Sequence, residues 1–267
     1  MELDELQATM TALGLDPTRA LEVLASMQTS PPLDADLCAV CGGDGWILHV
    51  DENGYKMSEK CQCRLAQEAE RRIRNSGLSL VIDGWTFDKY FGEQPFQQVM
   101  KDTAMRYTQA VLGGESPWLF MGGQVGSGKS HLCTAVCGEL LRIKYPVRYM
   151  RWVTDSGQLK GNVNDREAFS EAMDKWKEAK ILYVDDLFKM GHRPGDKPRP
   201  TDADIRIAFE LFDYRYAERK PTIITSEWFL STELMDIDPG TFSRVYEMCK
   251  GYLVEVTPGS GKNWRIK

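Results

Sequence analysis

Eight residues near the middle of the chain, Gly123-Gln124-Val125-Gly126-Ser127-Gly128-Lys129-Ser130, fit the pattern G-x-x-x-x-G-K-[ST]. That spacing suits a polyphosphate. Glycines let successive backbone N–H groups turn inward around an anion, and the positive end of a following helix strengthens the field there. The lysine, Lys129, is expected to reach the β- and γ-phosphates of ATP, and the Ser130 hydroxyl to be a ligand of Mg2+. The pattern also has its required context, a short buried strand at 118–121 and a helix from Lys129 to about residue 144. The nucleotide-binding set therefore runs from Gly123 to His131.

A second element complements the first. Ile181-Leu182-Tyr183-Val184 reads as a buried strand and ends in Asp185-Asp186. Asp185 is expected to hold magnesium through its water shell, and Asp186 to orient or deprotonate the attacking water. Thr225-Ser226-Glu227 ends an Ile- and Thr-rich strand expected beside this one, where a polar group can sense the γ-phosphate. Ser226 is the preferred sensor and Glu227 the alternative. Ser243-Arg244-Val245 follows Pro239-Gly240 in a helical context, so Arg244 could reach a neighbouring subunit's ATP as a finger. The expected catalytic set is Lys129, Asp185, Asp186, Ser226 and Arg244.

Four of seven cysteines are clustered as Cys38-Ala39-Val40-Cys41 and Cys61-Gln62-Cys63. C-x-x-C sets two thiolates on one tight turn, and Gly42-Gly43 lets the backbone bend around a metal. The return pair completes a tetrahedral four-cysteine set suited to structural zinc, Zn2+, with no position left for water. His49 could replace one cysteine. Cys133, Cys137 and Cys249 are dispersed and read as core thiols.

The elements that position these groups follow from periodicity and punctuation. Asp16-Pro17 and the spacing of Leu21, Leu24 and Met27 predict short helices before Ser30-Pro31-Pro32. A charged helix at 64–75 connects the cysteine segment to the rest. From about Leu78 strands and helices alternate, the signature of an α/β domain with a largely parallel sheet. The expected division is an N-terminal helical and zinc-binding module at 1–76 and an ATPase domain at 77–267. Asp165 should cap a helix burying Phe169, Ala172, Met173 and Trp176. Thr201 to Asp204 resembles a capping box opening a helix through Arg219. Two segments read as loops: 152–166, with Lys160 and Arg166, and a Pro- and Gly-rich basic stretch from Lys189 to Pro200. The basic stretch is a candidate for single-stranded DNA or a neighbouring subunit.

A formal net charge of -6 leaves no bulk attraction to nucleic acid, so any DNA contact needs a local basic patch or several subunits. No apolar run approaches the roughly 20 residues that span a bilayer, which implies no membrane partner. The acidic Met1-Glu2-Leu3-Asp4-Glu5 lacks the order of a signal peptide, and a cytoplasmic location is expected.

Together, the phosphate loop, the Asp185-Asp186 strand, Pro221-Thr222-Ile223-Ile224-Thr225-Ser226-Glu227 and Ser243-Arg244 resemble the AAA+ ATPases of the DnaC/DnaI helicase-loader type. Thr201-Asp202-Ala203-Asp204 with Phe209, and Tyr214-Arg215-Tyr216, are similar to that family's spacer. The resemblance covers roughly residue 85 onward, and an N-terminal cysteine module fits phage and DnaI-like loaders. It implies an AAA+ core that uses Mg-ATP, forms a homo-oligomer in the ATP state, and delivers a replicative hexameric helicase to single-stranded DNA. Loaders often carry asparagine where this chain has Glu227. An IstB-like transposition helper shares the core but is not expected to carry the cysteine module. A small-molecule P-loop kinase would need an arginine-bearing lid that the sequence does not display.

Overall fold

A computed structural model describes residues 38, 40–50, 55–143, 145–162, 165–189, 199–259 and 261–264. The helices expected before Ser30, the stretch 190–198 and the side chain of His49 lie outside the described residues. The chain divides into two compact units, Met1–Glu68 and Ala69–Lys267.

In the first unit, β1 (Trp46–Val50) pairs antiparallel with β2 (Lys56–Lys60), Trp46 opposite Lys60. The turn at Cys38–Cys41 precedes this hairpin, and helix α1 (Gln62–Ser76) begins directly after Cys61.

In the second unit, five parallel strands take the order β4-β5-β6-β3-β7: β3 (Trp118–Gly123), β4 (Val147–Arg151), β5 (Ile181–Leu187), β6 (Thr222–Ser226) and β7 (Leu253–Val256). Helices cover both faces, as a parallel sheet requires. On one face α2 (Pro95–Leu112) and α3 (Lys129–Arg142) bury Met100, Tyr107, Leu132 and Val136 against Leu119, Tyr183 and Ile223. On the other, α4 (Trp152–Gly161), α5 (Arg166–Lys177) and α6 (Asp202–Ala217) cover Phe120, Leu182, Val184 and Ile224. After β6 a π-helical turn (Leu230–Leu234) leads through α7 (Met235–Ile237) to α8 (Pro239–Met248), which packs on the same face.

The expected caps form. Asp165 accepts hydrogen bonds from Glu167 N and Ala168 N, and Thr201 with Asp204 closes a reciprocal capping box. The segment 152–166 corrects the sequence reading: 152–161 is helical, not a loop. Trp152, Ser156 and Leu159 form its buried face, and Asp155 accepts the Arg151 N–H at 2.7 Å. Lys160 is committed within the fold, its ammonium 2.6 Å from the buried Asp204 carboxylate. Arg215 is fully buried and donates to Thr222 Oγ1 and to the carbonyls of Trp176, Lys177, Ala179 and Pro221. It ties α5, α6 and the start of β6 together at the end of the sheet away from Asp185. Among the described residues no helix is long and apolar enough to cross a membrane.

Candidate nucleotide site and cysteine cluster

Strand alternation decides which side chains reach the phosphate loop. Ile181, Tyr183 and Ile223 face α3, whereas Leu182, Val184 and Ile224 face away. By the same period of two, Asp185 and Thr225 fall on the α3 side and Ser226 on the other.

The loop joins β3 to α3. Gly126 and Gly128 adopt positive φ, 71° and 98°. A Cβ at Gly126 would overlap the Asn263 side chain, and one at Gly128 would lie 2.7 Å from the Tyr90 ring, so both positions need glycine for space as well as conformation. Lys129 is buried and donates to the carbonyls of Gly123 and Gln124 at 2.9 and 2.8 Å. Burial lowers its pKa to about 8, against the raising influence of Asp186 and Glu227. Ser127 Oγ is fully buried with no hydrogen-bond partner among the described residues. A cradle of this shape, with an orphaned hydroxyl and a buried cation, fits a polyphosphate. His131 lies in the first turn of α3, Nε2 2.9 Å from the Thr86 carbonyl, its ring stacked 6.0 Å from Trp85 and edge-on to Tyr90.

Ser130 Oγ donates to Asp185 Oδ1 at 3.0 Å, so the two expected magnesium ligands meet across α3 and β5. Their donor set, a hydroxyl and a carboxylate, fits a hard cation that keeps most of its waters. Asp185 is held by three further hydroxyls: Tyr183 at 2.8 Å and Thr225 at 2.5 Å on Oδ1, and Tyr149 at 2.8 Å on Oδ2. Burial, reinforced by the Asp185 charge, pushes both tyrosine pKa values well above their ordinary range, so these phenols stay donors. Asp186 lies within a bulge between Val184 and Leu187 and sits at φ 57°, its N–H bonded to Thr225 Oγ1 at 2.9 Å.

Two expectations need correction. Ser226 does not join this cluster: it is fully buried, donates to the Leu187 carbonyl and accepts the Trp228 N–H. The hydroxyl that meets Asp185 and Asp186 is that of Thr225, the neighbour in the same strand end. Glu227 is also near, 3.1 Å from Lys189. Lys189 itself is no part of a free basic loop, because its ammonium lies 2.8 Å from Asp186 Oδ2. Arg244, on α8, is partly exposed and apart from these groups, bonded to the Gly240 carbonyl and 3.5 Å from Asp213.

In the first unit the four sulfurs of Cys38, Cys41, Cys61 and Cys63 lie within 4.8 Å of one another. Cys38 and Cys61 are 3.7 Å apart, Cys41 and Cys63 3.4 Å. Four sulfurs about 2.3 Å from one zinc ion stand about 3.8 Å apart, so the spacing fits a tetrahedral site. The C-x-C spacing has a structural reason. Cys61 precedes α1 and Cys63 lies in its first turn, so a helix start, not a second loose turn, aims the return pair. Among the described residues the four thiols form the ligand group without a histidine.

Known proteins share both the sequence and this architecture. The phage-like element PBSX protein XkdC of Bacillus subtilis (strain 168) is 32% identical over 224 residues, 81% of each chain. The chain belongs to the XkdC family. No family model matches it. Among solved structures, the DnaC helicase loader superposes with a TM-score of 0.51 at 20% identity, over 67% of this chain and 98% of that one. The replication initiator DnaA bound to AMPPCP and single-stranded DNA gives 0.51 at 19% identity, over 68% of this chain and 53% of that one. The fold is therefore the AAA+ fold of the DnaC type, as the resemblance of its motifs implied.

Proposed function

We propose that the chain is an ATP-hydrolysing AAA+ protein of DNA replication that loads a replicative hexameric helicase onto single-stranded DNA. The observation that carries the ATPase part is the meeting of Ser130 and Asp185 at 3.0 Å, beside a glycine loop with a buried lysine. Lys129 would release the Gly123 and Gln124 carbonyls to hold the β- and γ-phosphates. Ser130 and Asp185 would hold magnesium, which when bound neutralises charge developing on the phosphate oxygens. Asp186 would accept a proton from the attacking water, with Thr225 fixing its backbone. Glu227 stands at the sensor position, and Arg244, exposed on α8, would act on a neighbouring copy's nucleotide in a homo-oligomer.

The loading role is supported by the DnaC-type fold, and by membership of a family that includes a phage-element protein. The cysteine module would hold zinc as a structural clamp and serve as the helicase grip. Co-purification tests this: the cognate replicative helicase should be retained with ATP and released or weakened without it. Equal absence of the helicase under both conditions would remove the loading role and leave the ATPase reading standing.

The cluster carries its own prediction. Protein purified without chelator should contain about one zinc per chain, as a single four-cysteine site holds. Cys38→Ser should release that zinc and leave ATP affinity within about twofold, because the cluster's ligands all lie in the first unit. Metal analysis by mass spectrometry and nucleotide titration read both, and a zinc-free wild-type protein would contradict it.

A further inference from the structure

Lys189 sits in a place that its sequence context conceals. Two residues just before it, Asp186 and Phe188, have φ of 57° and 59°, a left-handed conformation that residues other than glycine rarely adopt. The Phe188 ring is buried, edge-on to Trp152 at 5.3 Å and to Phe242 at 5.8 Å, and packing of that kind can hold such a turn. The Lys189 N–H closes it on the Asp186 carbonyl at 2.9 Å. The chain thereby folds back, and the Lys189 ammonium bridges Asp186 Oδ2 at 2.8 Å and Glu227 Oε1 at 3.1 Å. Asp186 Oδ1 accepts no hydrogen bond among the described residues.

The charges explain why a cation is needed there. Asp185, Asp186 and Glu227 bring three carboxylates to the end of adjacent strands, and a carboxylate at the Glu227 position would repel a γ-phosphate unless neutralised. We propose that Lys189 is a positioning residue for hydrolysis: it neutralises Glu227 and grips one oxygen of Asp186 so that the other is presented to the attacking water. Lys189 and Glu227 then act as one unit in place of a neutral sensor side chain. Burial lowers the Lys189 pKa, but the Asp186 and Glu227 charges outweigh it and hold the group above its ordinary value. The ammonium is therefore retained throughout the neutral range.

This inference rests on ATP hydrolysis with Asp186 as base, and its test separates the two. Lys189→Met should lower kcat about 10- to 100-fold, the scale of a misplaced catalytic group. ATP affinity, read with a fluorescent analogue, should stay within about threefold, and Lys189→Arg, able to bridge two carboxylates, should recover most of the rate. A nucleotide-free readout stands beside this: in wild-type protein Lys189 should resist amine acylation by N-hydroxysuccinimidyl acetate, and Asp186→Asn or Glu227→Gln should expose it. Wild-type or faster turnover in Lys189→Met, no recovery in Lys189→Arg, or acylation of Lys189 as rapid as at exposed lysines would overturn the proposal. If wild-type protein hydrolyses no ATP, the ATPase reading falls. If Asp186→Asn is inactive and Lys189→Met is not, only the role of Lys189 falls.

Discussion

Lys129→Ala should abolish ATP binding at ordinary concentrations. Lys129 is a buried cation hydrogen-bonded to two carbonyls of its own loop, so it is poised to exchange weak acceptors for charged phosphate oxygens. Truncating one partner of a buried, hydrogen-bonded charge pair costs about 2–5 kcal/mol, which weakens binding by roughly 30- to 5000-fold. The loss should exceed that for any other single loop side chain, because the loop otherwise binds through backbone N–H groups. A pH dependence accompanies it. Burial lowers the Lys129 pKa to about 8, and a bound polyphosphate would raise it. ATP binding therefore favours the protonated lysine, is at full strength below pH 8, and weakens as pH rises through that value, by about tenfold at pH 9. Titration calorimetry from pH 7 to 9 reads both effects. An affinity independent of pH, or retained in Lys129→Ala, would show that this loop does not hold the phosphates.

Asp186→Asn should bind ATP and lose turnover by about 10²- to 10⁴-fold, the usual contribution of a positioned general base. The substitution keeps the shape and the backbone N–H to Thr225, and removes the basicity. Asp185 is the contrasting case, held by four hydroxyl donors, so it is placed to carry a cation. Arg244→Ala should also bind and fail to hydrolyse, since its side chain lies away from its own chain's site and would act on a neighbour's. An arginine finger is worth about 10³- to 10⁵-fold in GTPases, so even a modest share is measurable.

The residues explain what sequence could and could not reveal. The glycine loop and the Asp185 strand were legible because phosphate chemistry dictates residue type at fixed spacing. The caps at Asp165 and Thr201 were legible because they satisfy orphaned helix N–H groups locally. The preference for Ser226, with Glu227 as the alternative, missed a signal that was present: Ile223 and Thr225 share one parity, and the strand's period of two sets that face toward α3. Lys189 was not legible in the same way. Its position depends on two left-handed residues, one of them Phe188 held among buried aromatic rings, and no local pattern announces that. The helix at 152–161 was hidden because a small serine occupies its buried face between Trp152 and Leu159.

The most direct test of the composite ATP site is one turnover assay on Asp186→Asn, Arg244→Ala and their equimolar mixture, at saturating Mg-ATP. Each variant alone should be inactive. The mixture should recover a measurable fraction of wild-type turnover, because some interfaces then join an intact Asp186 to an intact Arg244. Wild-type turnover by Asp186→Asn alone would contradict the site, and full hydrolysis by monomeric Arg244→Ala would contradict its completion by a neighbouring copy.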